Sequence, residues 1–201
     1  MPAMSQPPDR TRPARARILD AAHRLMLTLG LARTTTKEIA RAADCSEAAL
    51  YKYFASKEDL FVEVLRERLP RLSPPEADGA RSVEENLTDF ARQATAFYAE
   101  SFPIAASLHA DPHLKARHYD AMRALGAGPH APVYALDAYL RAEQRAGRIG
   151  SEADTFAAAS LLLGACVHRS FAYEAMPRGE PPQSAEEFAA RMATQLIRGT
   201  E

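Results

Sequence analysis

The chain has no tryptophan and only two cysteines, Cys45 and Cys166. Two thiols so far apart in sequence make no disulfide framework, so a reducing, cytoplasmic compartment is expected. The nine glycines never gather into a phosphate-cradling loop. There is also no G-x-S-x-G elbow and no paired Cys/His motif. Nothing therefore supports catalysis, and neither an enzyme nor a cofactor is expected. No segment alternates apolar and polar residues with period two, which predicts no sheet. The N-terminal run MPAMSQPPDRTRPARAR lacks the apolar core of a secretory signal. The longest apolar run, Phe156–Val167, contains Ser160 and stops at His168-Arg169, too short to cross a bilayer, so no membrane partner is expected. Internal repeats and low-complexity tracts are missing as well.

What remains is a chain of 201 residues, 47% apolar, enough for a real core in one large or two small domains. The net charge of -1 is unevenly spread: residues 1–57 hold ten Lys/Arg against five Asp/Glu, and the rest fifteen against twenty-one. A basic first quarter on an acidic body fits a small nucleic-acid-binding head on a larger body that leaves the nucleic acid alone.

Helical periodicity runs through the chain. Residues 1–10 are Pro-rich and polar. Arg10, Arg12, Arg15 and Arg17 then form an arm that either contacts phosphates or a minor groove, or stays solvated. Ile18, Leu19, Ala22, Leu25, Met26 and Leu29 make the apolar stripe of a first helix ending at Gly30. Thr35 and Glu38 are spaced as a capping box and open a short second helix. Asp44-Cys45 breaks the period, and Ser46 caps a third helix carrying Leu50 and Phe54 on one face. Ser56 and Asp59 open a fourth, from Lys57 to about Leu69. The Pro/Gly-rich run Pro70–Gly79 is the clearest linker, giving domains of 11–70 and 80–201.

Beyond the linker, Ser82 and Glu85 cap a helix ending near Ser101, and Pro103 starts a short one. Further helices span about Pro112–Leu125, Ala131–Ala146 and Glu152–Ala175, the last of these capped by Ser151 and Asp154. A loop, Pro177–Gln183, precedes a last helix, Ser184–Arg198. The Phe156–Val167 segment is apolar on every side and must be buried on every side. Its covering is either a second copy of the chain, with Phe188, Met192 and Leu196 alongside, or the core of a monomer. His109, Asp111, His113 and His118 carry metal-ligand chemistry, but Pro112 interrupts their helical alignment, and no metal is expected.

Two short helices joined by a tight turn suit a helix-turn-helix that lays its second helix in the major groove. The run Thr35, Ile39, Ala40, Ala43, Ser46, Leu50, Tyr51, Phe54, Lys57 and Leu60 resembles, in register, the N-terminal domain of TetR-family transcriptional regulators, over roughly Arg15–Leu69. It departs at Asp44, where the pattern has glycine, at Cys45, where it is apolar, and at Glu47, where a basic or polar residue is common. The resemblance implies an all-α fold: an N-terminal three-helix DNA-binding domain plus a C-terminal helical domain for effector binding and dimerisation. It further implies a homodimer formed through the last two helices, a palindromic double-stranded operator, and release by a small-molecule effector, with repression the usual outcome. The positions it marks as DNA contacts are Thr36, Lys37, Ser46, Glu47, Ala48, Ala49, Tyr51, Lys52, Tyr53 and Lys57. Glu47 either accepts from a cytosine amino group or favours its helix N-terminus electrostatically. Phe90, Phe97, Phe102, Met122, Tyr134, Leu163, Val167 and Phe171 are the candidates for an apolar effector cavity, although the same spacing serves ordinary packing. The rival reading is a helical small-molecule-binding protein or enzyme with no role on DNA.

Overall fold

Helix starts in this chain are set by hydroxyls and acids at fixed spacing. The Thr35 hydroxyl accepts the Glu38 N–H at 3.2 Å while the Glu38 carboxylate accepts the Thr35 N–H at 3.0 Å. Ser82 with Glu85 and Ser184 with Glu187 repeat this reciprocal pair. Ser46, Ser56 and Asp154 each accept a backbone N–H three residues on. Each cap satisfies donors that a helix leaves unpaired at its first turn. Hydrogen bonds from Thr35 hold the Glu38 carboxyl below its ordinary range, and those from Ser82 do the same for Glu85.

The computed structural model describes residues 11–31, 33–69, 72–109, 112–124, 128–175 and 181–200; within helices, the side chains of 103–105, 107–109, 114, 117, 121, 122, 124, 174 and 175 are also outside the description. Among the described residues there are helices and no strand: α1 (Ala14–Leu29), α2 (Thr36–Ala42), α3 (Glu47–Tyr51), α4 (Lys57–Arg68), α5 (Val83–His109), α6 (Pro112–Ala124), α7 (Ala131–Arg145), α8 (Thr155–Arg169) and α9 (Ala185–Arg198). A π-helical turn, Ser170–Ala175, continues α8. Arg10 of the expected arm and residues 176–180 of the expected last loop thus lie outside the described residues.

Three expectations need correction. Helix α5 does not end near Ser101 but runs through Pro103 to His109. A proline inside a helix removes one hydrogen bond and costs about 3 kcal/mol, yet the helix continues past it. The cap of α8 is Asp154, not Ser151. With the π turn, Thr155–Tyr173 is also long and apolar enough, by length and composition, to cross a membrane. Nevertheless Leu162, Leu163 and Cys166 on it pack into a protein core.

The residues form two compact units, with the change falling at Pro103 inside α5. The first contains the described residues up to Leu69 together with those of 103–124. Its core joins Ile18, Leu19 and Met26 of α1, Leu31, Ile39 of α2, Leu50 of α3, Phe54, and Leu60, Phe61 and Val64 of α4. From α6, the His118 ring sits edge-on to Phe61 at 5.9 Å, and burial pushes its pKa down. Charges join α1 to α4: Arg15 reaches Glu63 at 2.6 Å and Glu67 at 2.8 Å, and Arg68 reaches Asp20 at 2.7 Å.

The second unit takes in the described residues of 70–102 and 125–201. Leu87, Phe90, Leu136, Leu140, Leu162, Leu163, Ala189 and Ala193 are buried together. Buried polar groups there are paired across helices. Asn86 donates to the Tyr139 hydroxyl at 3.1 Å, Thr155 to Asp137 at 2.6 Å, and Ser170 to the Thr95 carbonyl at 2.8 Å. The Gln144 amide donates to the carbonyls of Gly150, Ser151 and Ala153, which fixes the turn into α8.

The Arg15 contacts have a pH signature. The guanidinium hydrogen bond holds the Glu67 carboxyl at about 2 rather than 4.5. A depressed carboxyl stabilises fully above its unfolded value, and the contribution disappears as pH falls through the folded one. Thermal unfolding should therefore lose stability between about pH 4.5 and pH 2, less steeply in Arg15→Met, and less in high salt since Glu67 is 29% exposed. Equal slopes for the two proteins would show that the pair contributes nothing.

Candidate nucleic-acid interface

Helix α3 has five residues, too few to hold itself together. Three kinds of restraint keep it in place. Leu50 is fully buried and Phe54, just beyond the helix, nearly so. The Ser46 hydroxyl accepts the Ala49 N–H at 3.1 Å. Before it, Asp44 takes the left-handed conformation, φ 53°, which makes the turn tight where a glycine would sit without strain. Arg17 of α1 closes the turn from behind, its guanidinium donating to the carbonyls of Ala43 at 3.1 Å and Asp44 at 3.4 Å.

This scaffold leaves one side of α3 uncovered. Glu47, Ala48, Tyr51 and Lys52 are exposed, with Tyr53 just beyond, and the two tyrosines are each 48% accessible. Ala49 lies at the edge, half-buried, and Ser46 is exposed while serving as the cap. From α2, Lys37 is exposed and Thr36 half-buried. The Thr36 hydroxyl donates to Glu47, and the Tyr51 hydroxyl lies 3.4 Å from the same Thr36 oxygen. Lys37, Ala40, Arg41, Asp44, Cys45 and Glu47 line an open groove of about 530 Å³ beside the turn. Of the ten positions taken from the sequence, nine thus gather around α3 and the start of α2. Lys57 is placed differently: its ammonium donates to the Leu31 carbonyl at 2.9 Å and is half-buried.

The arginine arm is likewise engaged within the protein. Arg12 pairs with Asp20 at 2.6 Å, and Arg15 lies over the Phe54 ring at 5.5 Å as well as pairing with Glu63 and Glu67. Sequence reading missed Arg17 as the clamp of the turn. Its partners are main-chain carbonyls, which carry no residue signature.

The described effector candidates fall in several places within the second unit. Phe90 and Leu163 lie in the core of the second unit. Phe90 also lines a polar groove of about 360 Å³ with Ser73, Glu76, Asp78, Arg81 and Asn86. The Phe102 and Phe171 rings meet at 5.1 Å, tilted by 44°, with Phe171 45% exposed. Phe97 and Val167 are half-buried. Tyr134 is 59% exposed and its ring meets Phe156 at 5.7 Å. The Met122 side chain lies outside the described residues. So do the His109 side chain and Asp111; among the described residues, no group of three His, Cys, Asp or Glu is close enough to hold a metal ion.

A capped five-residue helix held across a tight turn, one side open, defines a helix-turn-helix head. Residues 18–64 match the family described as bacterial regulatory proteins, tetR family. An uncharacterized HTH-type transcriptional regulator of Bacillus subtilis, YvkB, is 50% identical over 54 residues. That match covers 27% of this chain and 28% of the relative's length. Salmonella enterica GusR has a similar structure, with TM-score 0.68 and 24% identity over 96% of this chain and 97% of that one. The TetR family transcriptional regulator PfmR of Thermus thermophilus aligns with TM-score 0.63 and 26% identity over 92% of this chain and 99% of that one. The N-terminal residues 18–64 thus match the TetR-family DNA-binding domain, and the chain as a whole is similar in fold to solved TetR-family regulators.

The strained turn makes a stability prediction. Asp44→Gly should raise the unfolding free energy by about 0.5–1 kcal/mol, because glycine accepts a positive φ without a Cβ clash. Asp44→Val should lower it. Denaturant melts of the three proteins measure the order, and a glycine variant less stable than the parent would mean that the Asp44 side chain holds the turn.

Proposed function

We propose that this chain is a cytoplasmic transcriptional regulator, a homodimer that binds a palindromic operator, represses, and is released by a small-molecule effector. The uncovered side of α3 carries the reading. A helix held this firmly, with small Ala48 and Ala49 between Glu47, Tyr51 and Lys52, has the shape for close approach to base edges. Thr36, Lys37, Ser46 and Tyr53 then lie toward the phosphates or the rim, while Lys57 holds the Leu31 carbonyl. We assign DNA binding to 11–70 and effector binding with dimerisation to 80–201. Candidates for the effector remain the partly exposed Phe97, Phe102, Val167 and Phe171, with Phe90, Tyr134, Leu163 and Met122 around them.

The dimer rests on α8. Ala158, Ala159, Leu162, Leu163 and Cys166 face the core of their own unit, whereas Phe156, Ala157, Ser160, Leu161 and Gly164 are exposed, Leu161 at 70%. The helix is therefore buried on one face only. An uncovered apolar stripe with small residues beside it favours a second helix of the same kind. Two reading helices about 34 Å apart would then enter successive major grooves, and an effector that changed that distance would shift the population away from the DNA-bound shape.

Duplexes selected from the source genome, followed by anisotropy titrations across a salt series, test the reading. Lys52→Ala should weaken binding at all sequences and reduce the salt slope by about one, and Tyr51→Ala should weaken it as well. Failure of the parent protein to retain any duplex removes the regulator reading.

Leu161→Glu places a charge on the uncovered stripe. Sedimentation should then change from dimer to monomer at unchanged helix content. A variant that stays dimeric would move the interface away from α8.

A further inference from the structure

An acid on a DNA-facing helix needs explaining, because phosphates repel it. The Glu47 carboxylate is not loose: the Thr36 hydroxyl donates to its Oε1 at 2.5 Å, and the Tyr51 hydroxyl lies 3.4 Å from the Thr36 oxygen. Thr36 begins α2 and Glu47 begins α3, so the contact ties the two short helices together on the uncovered side. A carboxylate has about four lone-pair sites on its two oxygens, and one hydrogen bond to a threonine leaves acceptor capacity facing outward.

The major groove narrows what such an acceptor can meet. Guanine shows N7 and O6 there, and thymine O4, all acceptors that repel a carboxylate. Adenine and cytosine each show an amino donor. In adenine that donor adjoins the N7 lone pair on the same base. In cytosine it adjoins a C–H. Fixed in position by Thr36, an anion has little freedom to avoid N7, and cytosine is the better partner.

We propose that Glu47 determines base specificity by accepting from the exocyclic amino group of a cytosine, so that each half-site carries a C·G pair at one fixed position. Thr36 is its positioning residue. This rests on the DNA-binding reading given above and goes beyond it by naming the base. The acid also discriminates by repulsion, since guanine or thymine at that position brings lone pairs against it.

Selection from a pool of randomised palindromic duplexes tests the assignment, using the full-length protein, Glu47→Ala, Glu47→Gln and Thr36→Val. The parent should enrich cytosine at one position per half-site. Glu47→Ala should lose about tenfold of that preference at that position, keep its other preferences, and bind random duplex at low salt at least as tightly. Glu47→Gln keeps the shape and adds a donor, and should move the preference towards adenine. Thr36→Val should weaken the cytosine preference while retaining its place. A Glu47→Ala variant with every base preference unchanged overturns the proposal and leaves Glu47 acting on the α3 N-terminus alone. A parent protein that enriches no duplex overturns the regulator reading itself, a different failure and readily told apart.

Discussion

Everything proposed for this protein depends on a helix that cannot exist by itself. Five residues form too few hydrogen bonds to offset the backbone entropy they lose. The restraint comes from outside α3: Leu50 and Phe54 sunk in the core, Ser46 at the start, and the Asp44 turn closed by Arg17. Since these restraints come from one side, the other is left uncovered and rigid. Rigidity matters for reading base edges, because a contact already in place loses little entropy when the duplex arrives. The Thr36–Glu47 bond extends the same logic from the backbone to side chains.

The second unit solves a different problem. Its helices carry polar residues at core positions, and several are paired with a neighbouring helix or the adjoining turn: Asn86 with Tyr139, Asp137 with Thr155, Glu143 with Arg148. Burial pushes the Tyr139 hydroxyl up to about 12, so it stays a neutral donor and acceptor across the physiological range. The Cys166 thiol, pushed by burial to about 11, faces the Ala91 carbonyl and is chemically quiet. Such pairs fix which helix faces meet more strictly than leucines alone. With α5, α7 and α8 tied together in this way, the apolar stripe of α8 is left on the outside.

How much of this the residues announced in advance follows from the range of each interaction. Caps act over three residues, so Thr35, Ser46, Ser56, Ser82 and Ser184 marked helix starts that the structure repeats. The left-handed turn was readable because a register of neighbours pointed to a position that favours glycine, even with Asp44 in it. Contacts between distant residues were not readable. Arg15 finds its acids 48 to 52 residues away, and nothing near Lys57 points to the Leu31 carbonyl. Pro103 misled for the opposite reason: a strong local rule against proline inside a helix did not end this one. The open half of α8 fell between the two. Its apolar periphery was plain, but whether its own subunit or something else covers it depends on where every other helix goes.

Placement of the cations also changes what the basic head means. Counting charges along residues 1–57 gives ten Lys/Arg, but Arg12, Arg15 and Arg17 are engaged by acids or carbonyls, and Lys57 by Leu31. Those four side chains stabilise the head, and counterion release on DNA counts only cations that neutralise phosphates. Among the described residues near α3, Lys37, Arg41 and Lys52 are exposed, with Arg24 and Arg33 exposed elsewhere on the head. A head with this few outward charges gains modest non-specific affinity, and its discrimination must then come from base contacts. That is the setting in which a fixed acid such as Glu47 is tolerable. Its repulsion from phosphates reduces binding everywhere, whereas its one favourable contact is made only at the matching base.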